Sequence, residues 1–243
     1  MVKYAYPWNG GGRDMAEQLT VIARIRNDFP EKFGLPRQSG LGSAIRGRIV
    51  FEKPYDTPDA LRGIGQFSHL WLIWGFSGVP ERGAFEPLVR PPRLGGNARV
   101  GVFASRSPFR PNRLGLSLVR LERVLETEGH AELLVSGIDL MDGTPIYDVK
   151  PYLPYAEAVP DARGGFADAH SADALEVDFP PELLSLVPGD RREALLQALS
   201  LDPRPAYQND PARVYGFLFA GLNVRFRVDG SRLTVVEVQT VAA

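Results

Sequence analysis

Seven arginines, Arg90, Arg93, Arg99, Arg106, Arg110, Arg113 and Arg120, lie between Glu86 and Glu122 with no acid among them. The whole chain carries a formal charge of only −1, so this excess is local. Guanidinium groups suit bidentate recognition of planar oxyanions, phosphate or carboxylate, better than ammonium groups do. The densest part, Ser105-Arg106-Ser107-Pro108-Phe109-Arg110-Pro111-Asn112-Arg113, sets cations and small hydroxyls between prolines. Proline fixes its own φ, so the bend has little freedom left to lose when it meets a ligand. Any single arginine can instead decorate a solvated strand edge and pair with an acid elsewhere.

Three further clusters carry chemistry. Leu35-Pro36-Arg37-Gln38 is a stiff loop with one cation and one amide, or an ordinary connection between strands. Gly137-Ile138-Asp139-Leu140-Met141-Asp142-Gly143-Thr144-Pro145 puts a carboxylate at a strand end, where it can accept ribose hydroxyls, while Asp142 reads as a turn cap. Asp148-Val149-Lys150-Pro151-Tyr152-Leu153-Pro154-Tyr155 holds two tyrosines between prolines; they can stack on a base or pack as core at a strand exit. His69, after Ser68 in an apolar run, reads as a hydrogen-bonded structural histidine. Near the C-terminus, Asp202-Pro203-Arg204-Pro205-Ala206-Tyr207 and an Arg225/Arg227 face can touch phosphate or form a solvated strand face.

The elements that must position these groups are mostly strands. LTVIARIR (19–26), GRIVFE (47–52) and runs at 67–76, 99–104, 115–125, 131–140 and 144–150 are rich in β-branched, Leu and aromatic residues with turn signals between them. Thr57-Pro58-Asp59 predicts a capped short helix to about Arg62. Strands without intervening helices predict an antiparallel or mixed sheet or barrel, not a doubly wound parallel sheet. Residues 156–179, rich in Ala, Asp and Gly, read as a connection between domains. Helices are expected over 180–187 and 190–201, the second with Leu195, Leu196 and Leu199 on one stripe. Leu222, Val224, Phe226 and Val228 alternate against Asn223, Arg225 and Arg227, and Asp229-Gly230 signals a hairpin. The expected fold is mainly β: a flexible leader over 1–18, a β-barrel-like domain over 19–160, a linker over 161–179 and a small α+β domain over 180–243.

Composition narrows the function. The chain has no cysteine, which excludes disulfides, thiolate zinc sites and a cysteine nucleophile. His69, His130 and His170 lie far apart, so no histidine-based metal site is expected, while carboxylates could still hold a magnesium ion. No P-loop, strand–GxGxxG–helix fingerprint or GxSxG elbow occurs, which leaves nucleotide hydrolysis, a Rossmann cofactor site and a serine hydrolase unsupported. The richest apolar run, Phe67 to Phe76, is too short to span a bilayer. With no signal segment either, a cytoplasmic protein is expected. Residues 19–160 hold 18 basic and 15 acidic residues and residues 161–243 hold 8 and 12, an asymmetry that permits an anionic partner for the first part.

Taken in order, PRQ, FSHLWL, RPPRLGGNARVGVFASRSPFRPN, DGTPIYDVKPYLPYAE and DPRPAY resemble the TrmO (YaeB-like) tRNA methyltransferases from about Leu19 to Val238. The resemblance implies S-adenosylmethionine-dependent methylation of N6 of threonylcarbamoyladenosine at position 37, beside the anticodon of threonine tRNA. It implies a small β-barrel in place of a Rossmann sheet, a homodimer with the cofactor near the subunit interface, and a C-terminal domain that helps hold the anticodon stem-loop. Cofactor contacts carry over onto Pro36, Arg37, Gln38, Arg106, Leu116 and Ser136, Gly137, Ile138 and Asp139; Ser77 and Gly78 stand where a further contacting pair is expected, through backbone only. Arg106 suits the methionine carboxylate. Asp148, Lys150 and Tyr152 are expected to position the base, and Arg110, Asn112, Arg113, Arg204, Tyr207 and Arg225 to hold tRNA. Residues 1–18 lie outside the family pattern. Two other readings of the same residues are a noncatalytic RNA-binding β-barrel and an enzyme that clamps a small anionic metabolite.

Overall fold

The computed structural model describes residues 18–80, 83–91, 94, 98–170, 174–204, 208 and 210–241. The expected leader up to residue 17, Arg93 and Tyr207 lie outside the described residues.

Six antiparallel strands close into a barrel in the order β1-β2-β7-β6-β3-β8. They are β1 (Ala23–Asn27), β2 (Arg46–Phe51), β3 (His69–Gly75), β6 (Leu114–Thr127), β7 (His130–Ser136) and β8 (Pro145–Pro151). β3 and β7 bury every second side chain, as pleated strands with one face on a core do, while β6 buries Ser117 and Val119 and β8 buries Ile146. Ile25, Ile49, Leu70, Leu72, Val119, Leu133, Val135 and Ile146 are at most 1% exposed and fill the interior. A barrel of this size has room for side chains and no channel. It closes where Ala23 pairs with Ile146 and Arg24 with Pro145. The tight β6–β7 hairpin turns on Glu128 and Gly129, both at positive φ, the geometry that matches strand twist. Within β6, register steps from Leu121↔Val135 to Arg123↔Leu134, so Glu122 is a bulge residue and its side chain is re-aimed. A two-stranded hairpin, β4 (Leu88–Val89) and β5 (Val100–Gly101), stands outside the barrel.

The C-terminal part is a four-stranded sheet ordered β10-β11-β12-β9, with β9 (Glu176–Asp178), β10 (Tyr215–Phe219), β11 (Leu222–Asp229) and β12 (Arg232–Thr240). Three helices precede or flank it: α1 (Pro154–Glu157), α2 (Pro181–Leu184) and α3 (Arg192–Ser200). β11 alternates as its sequence predicts, with Leu222, Val224, Phe226 and Val228 buried.

Several expectations are corrected. β9 lies inside the stretch read as a connection: Leu175, Val177 and Phe179 alternate toward the core, and the strand pairs parallel to β12. The buried stripe of α3 is Ala194, Leu195, Ala198 and Leu199; Leu196 is not part of it. Pro58–Leu61 is a single 3₁₀ turn, and the Thr57 side chain makes no capping bond. Of the strand expected over 99–104, only Val100–Gly101 is extended; Val102–Ala104 coils into a 3₁₀ turn.

Candidate functional site

Four connections meet at one end of the barrel: residues 28–45 between β1 and β2, residues 76–79 after β3, residues 102–113 before β6, and residues 137–144 between β7 and β8. Gly40 N–H donates to the Gly137 carbonyl at 2.8 Å, and Gly137 N–H to the Ile45 carbonyl at 2.9 Å. A Cβ on Gly137, whose φ is +73°, would lie 3.3 Å from the Gly40 backbone, so two main chains touch where neither has a side chain. Ser39 Oγ accepts from Leu118 N–H at 3.1 Å and ties the Pro36–Gln38 loop to β6. Arg106 reaches across to Gln38 Oε1 at 2.5 Å. Ser77 and Thr144 share a hydrogen bond of 2.9 Å, and Phe76 N–H donates to the Arg113 carbonyl at 2.9 Å. Of the expected cofactor residues, Gln38 and Arg106 touch directly, while Ser39, Gly40 and Thr144 tie together the connections that carry the others.

The electrostatic centre is Asp139. Its Oδ1 accepts from Ser117 Oγ at 2.6 Å, and Ser117 Oγ in turn accepts from Trp74 Nε1 at 2.9 Å. Ser117 is fully buried. Burial pushes the Asp139 carboxyl above its ordinary value; the Ser117 hydroxyl, main-chain N–H groups and the nearby Arg106 charge pull it back down. Arg106 is exposed and spends one donor on Gln38, which leaves guanidinium N–H groups for a carboxylate. Leu116, 53% exposed, offers an apolar wall.

Barrel register places Asp148 alongside, with Lys150 and then Tyr152 further along β8 toward the opposite end of the barrel. On the outer face, Leu116 pairs with Ile73, which pairs with Asp148; in the next outward row Leu118 pairs with Trp71, which pairs with Lys150. Two strand spacings, about 10 Å, thus separate Leu116 from Asp148. Lys150 Nζ lies 3.0 Å from Asp148 Oδ2. Tyr152 packs edge-on to both His69 and Trp71, with ring centroids 6.3 and 6.0 Å away, and Trp71 Nε1 donates to Glu157 at 3.0 Å. His69 is held by Ser68 Oγ at 2.9 Å, as a structural histidine would be. Tyr155 is 89% exposed, not core.

Comparison with known proteins decides the family. A family model described as the tRNA-methyltransferase O N-terminal domain matches residues 24–158, and the TrmO C-terminal domain model matches residues 172–241. The chain belongs to the TrmO family. A tRNA (adenine(37)-N6)-methyltransferase of Escherichia coli (strain K12) is 43% identical over 219 residues, 87% of this chain and 93% of that protein. One of the same name from Eikenella corrodens is 50% identical over 176 residues, covering 72% and 98%. A crystal structure of TrmO from Pseudomonas aeruginosa superposes with a TM-score of 0.74 at 36% identity, covering 93% of this chain and 99% of that one.

Some residues of the TrmO pattern are placed otherwise than their sequence suggests. Ile138 is fully buried, so only its main chain is available to a ligand. Ser136 Oγ is engaged by Glu122 Oε1 at 2.6 Å. Arg113 donates to the Val79 carbonyl and so ties its loop to the connection after β3, while Arg110 donates to the Ser105 carbonyl at 2.8 Å and braces its own loop; Asn112 is exposed. Arg225 is tied to Glu237 at 2.6 Å on the solvent face of β11. Arg204 is not on the surface. It is 8% exposed and forked onto Asp202 at 2.9 and 3.1 Å, and its carbonyl receives the Arg37 guanidinium. That arginine holds a turn in place of presenting a charge to solvent. Ser117, Trp74 and Ser39 escaped the sequence reading, although a hydroxyl at an inward position of β6 was a signal. Among the described residues no group of three or more His, Asp or Glu gathers as a metal site, and no helix is long and apolar enough to cross a membrane.

Proposed function

We infer that this chain transfers the methyl group of S-adenosylmethionine to N6 of adenine 37 of a tRNA. Membership of the TrmO family and the names of relatives that match most of the chain support the reaction. The observation that supports the site is the convergence at one barrel end of the connections bearing Pro36–Gln38, Arg106 and Gly137–Asp139, with Leu116 in the same cross-strand row as Asp148 and Lys150 one row further along. These residues suit the cofactor chemically. A guanidinium with spare donors matches an amino-acid carboxylate, a buried carboxylate matches ribose hydroxyls, and main-chain groups with an apolar wall match adenine.

When bound, the cofactor supplies an electrophilic methyl group on a sulfonium. The chain's own part is alignment and exclusion of water. Arg106 holds the carboxylate end with Gln38 as its brace. Asp139, fixed by Ser117, accepts from the ribose; Arg37, Ser77, Gly78 and Ser136 shape the walls. Asp148, Lys150 and Tyr152 orient the adenine so that N6 faces the methyl group, and Arg110, Asn112, Arg113, Tyr207 and Arg225 hold the anticodon stem-loop. The finer reading is that the adenine already bears a threonylcarbamoyl group, that the tRNA is a threonine acceptor, and that the enzyme works in the cytoplasm as a homodimer. The outer rows of β6 and β3, with Leu116 exposed and Leu118, Trp71 and Ile73 half-buried, support a partner on that face.

Radiolabelled S-adenosylmethionine and tRNA with or without threonylcarbamoyl at adenine 37 test this directly. Label should enter the modified tRNA and be lost when adenine 37 is replaced by guanine. Equal labelling of the guanine variant, or none of either tRNA, would contradict the reading.

A further inference from the structure

We propose that Phe85 and Phe103, which flank the β4–β5 hairpin, form a platform on which an unpaired anticodon-loop base next to the methylated adenine stacks, with Arg110 holding the adjoining phosphate. The proposal rests on the tRNA methyltransferase reading and names a binding subsite for it. Phe85 is 59% exposed and Phe103 is 70% exposed. Their rings lie nearly parallel, with centroids 6.3 Å apart and planes 26° apart. Leu88, 48% exposed, extends the apolar surface. Aromatic rings paired in water mark a surface that a partner covers. Flat faces in this offset arrangement suit a nucleobase, because every base has a π-face.

Charge chooses between RNA and protein as the occupant. The Arg110 guanidinium carbon sits 5.9 Å from the Phe103 centroid. Pairing of Leu88 with Gly101 and Val89 with Val100 sets exposed Arg90 opposite exposed Arg99, and neither has an acidic partner among the described residues. No acid occurs anywhere from Pro87 to Leu121. A second copy seated on this patch about a two-fold axis would bring the same cations against themselves. A polynucleotide brings phosphates to those cations and bases to the rings. The hairpin runs directly into the connection that carries Arg106, and both are closed by internal bonds. Val102 N–H donates to the Pro87 carbonyl at 2.9 Å, and Arg110 to the Ser105 carbonyl at 2.8 Å. Phe103 stands three residues before Arg106, at most about 10 Å along the chain, within reach of a neighbouring nucleotide.

The test uses the full chain and an anticodon stem-loop with 2-aminopurine in place of the nucleotide that follows adenine 37. Binding to the native protein should quench its fluorescence. Phe103→Ala and Phe85→Ala should each remove quenching and weaken binding roughly tenfold, with the slope of log affinity against log salt unchanged. Phe103→Trp should restore both, and Arg110→Ala should instead lower the slope by about 0.7, one phosphate contact to a single strand. Affinity of each phenylalanine variant for S-adenosylmethionine should match the native value, which shows the barrel intact. Native affinity for the stem-loop in the double Phe85→Ala/Phe103→Ala variant would overturn the platform. So would a change from dimer to monomer in that variant by sedimentation, since the patch would then be an interface between copies. A native protein that binds no stem-loop would sink the methyltransferase reading together with it.

Discussion

At the scale of residues, Ser117 and Asp139 set the chemistry of the site. Ser117 is buried among apolar neighbours, and Trp74 fills one of its acceptor positions, so its hydrogen is directed at Asp139. Ser117→Ala removes a donor that favours the carboxylate and raises the Asp139 pKa beyond its present upward displacement. The sign follows for both stability and binding. A carboxyl raised by burial costs stability at neutral pH, and that cost is relieved as pH falls through its folded pKa. If the ionised form accepts the ribose hydroxyls, cofactor affinity falls on acidification through the same value. Calorimetric titration of S-adenosylmethionine across pH should therefore show the acid-side loss at higher pH in Ser117→Ala than in the native protein. An unchanged midpoint would show that Ser117 only fills space. Arginines, prolines and the Asp139 carboxylate were legible in the sequence because their chemistry is in their type. Arg204 was misleading for the same reason: charge type says nothing of burial, which here comes from a fork onto Asp202 two residues away.

Among elements, β6 does the most positioning. It carries Leu116 outward and Ser117 inward, and its Glu122 bulge turns the strand toward β7 and aims a carboxylate at Ser136. Its least replaceable position is Gly115. A Cβ there would fall 2.3 Å from the Trp74 ring, which is also packed edge-on to Phe76 at 4.5 Å. Gly115→Ala must displace the indole that orients Ser117. Overpacking of this kind costs about 1–3 kcal/mol, so thermal unfolding should shift down by roughly 2–12 °C. Cofactor affinity should fall with it; native melting and affinity together would contradict the packing described. Strand existence was legible from alternation, most plainly in β11. The three-residue β9 was not, because so short a strand is fixed by pairing with β12 and not by its own period.

Across the whole molecule, the loop bearing Pro36, Arg37 and Gln38 is clamped between barrel and C-terminal sheet. Phe29 meets Phe219 edge-on at 5.0 Å, and Arg191 pairs with Asp28 at 2.7 Å. Ala44 N–H donates to Gln197 Oε1 at 2.8 Å, Leu218 N–H to Glu31 Oε1 at 2.8 Å, and Arg37 to the Asp202 carbonyl at 3.1 Å. The C-terminal part therefore helps set the geometry of the loop proposed to contact the cofactor. No local pattern announces such contacts, since their partners lie more than 150 residues apart. The central proposal is that the connections around residues 36–38, 106 and 137–139 form one cofactor pocket at this barrel end, braced from outside by the C-terminal part. A crystal structure of the protein with S-adenosylhomocysteine tests it most directly. The product should lie among Pro36–Gln38, Arg106, Leu116 and Gly137–Asp139, its carboxylate on Arg106 and its ribose on Asp139. Density elsewhere, for instance in the hollow of about 390 Å³ lined by Val50, Asp56 and His130, would contradict the account.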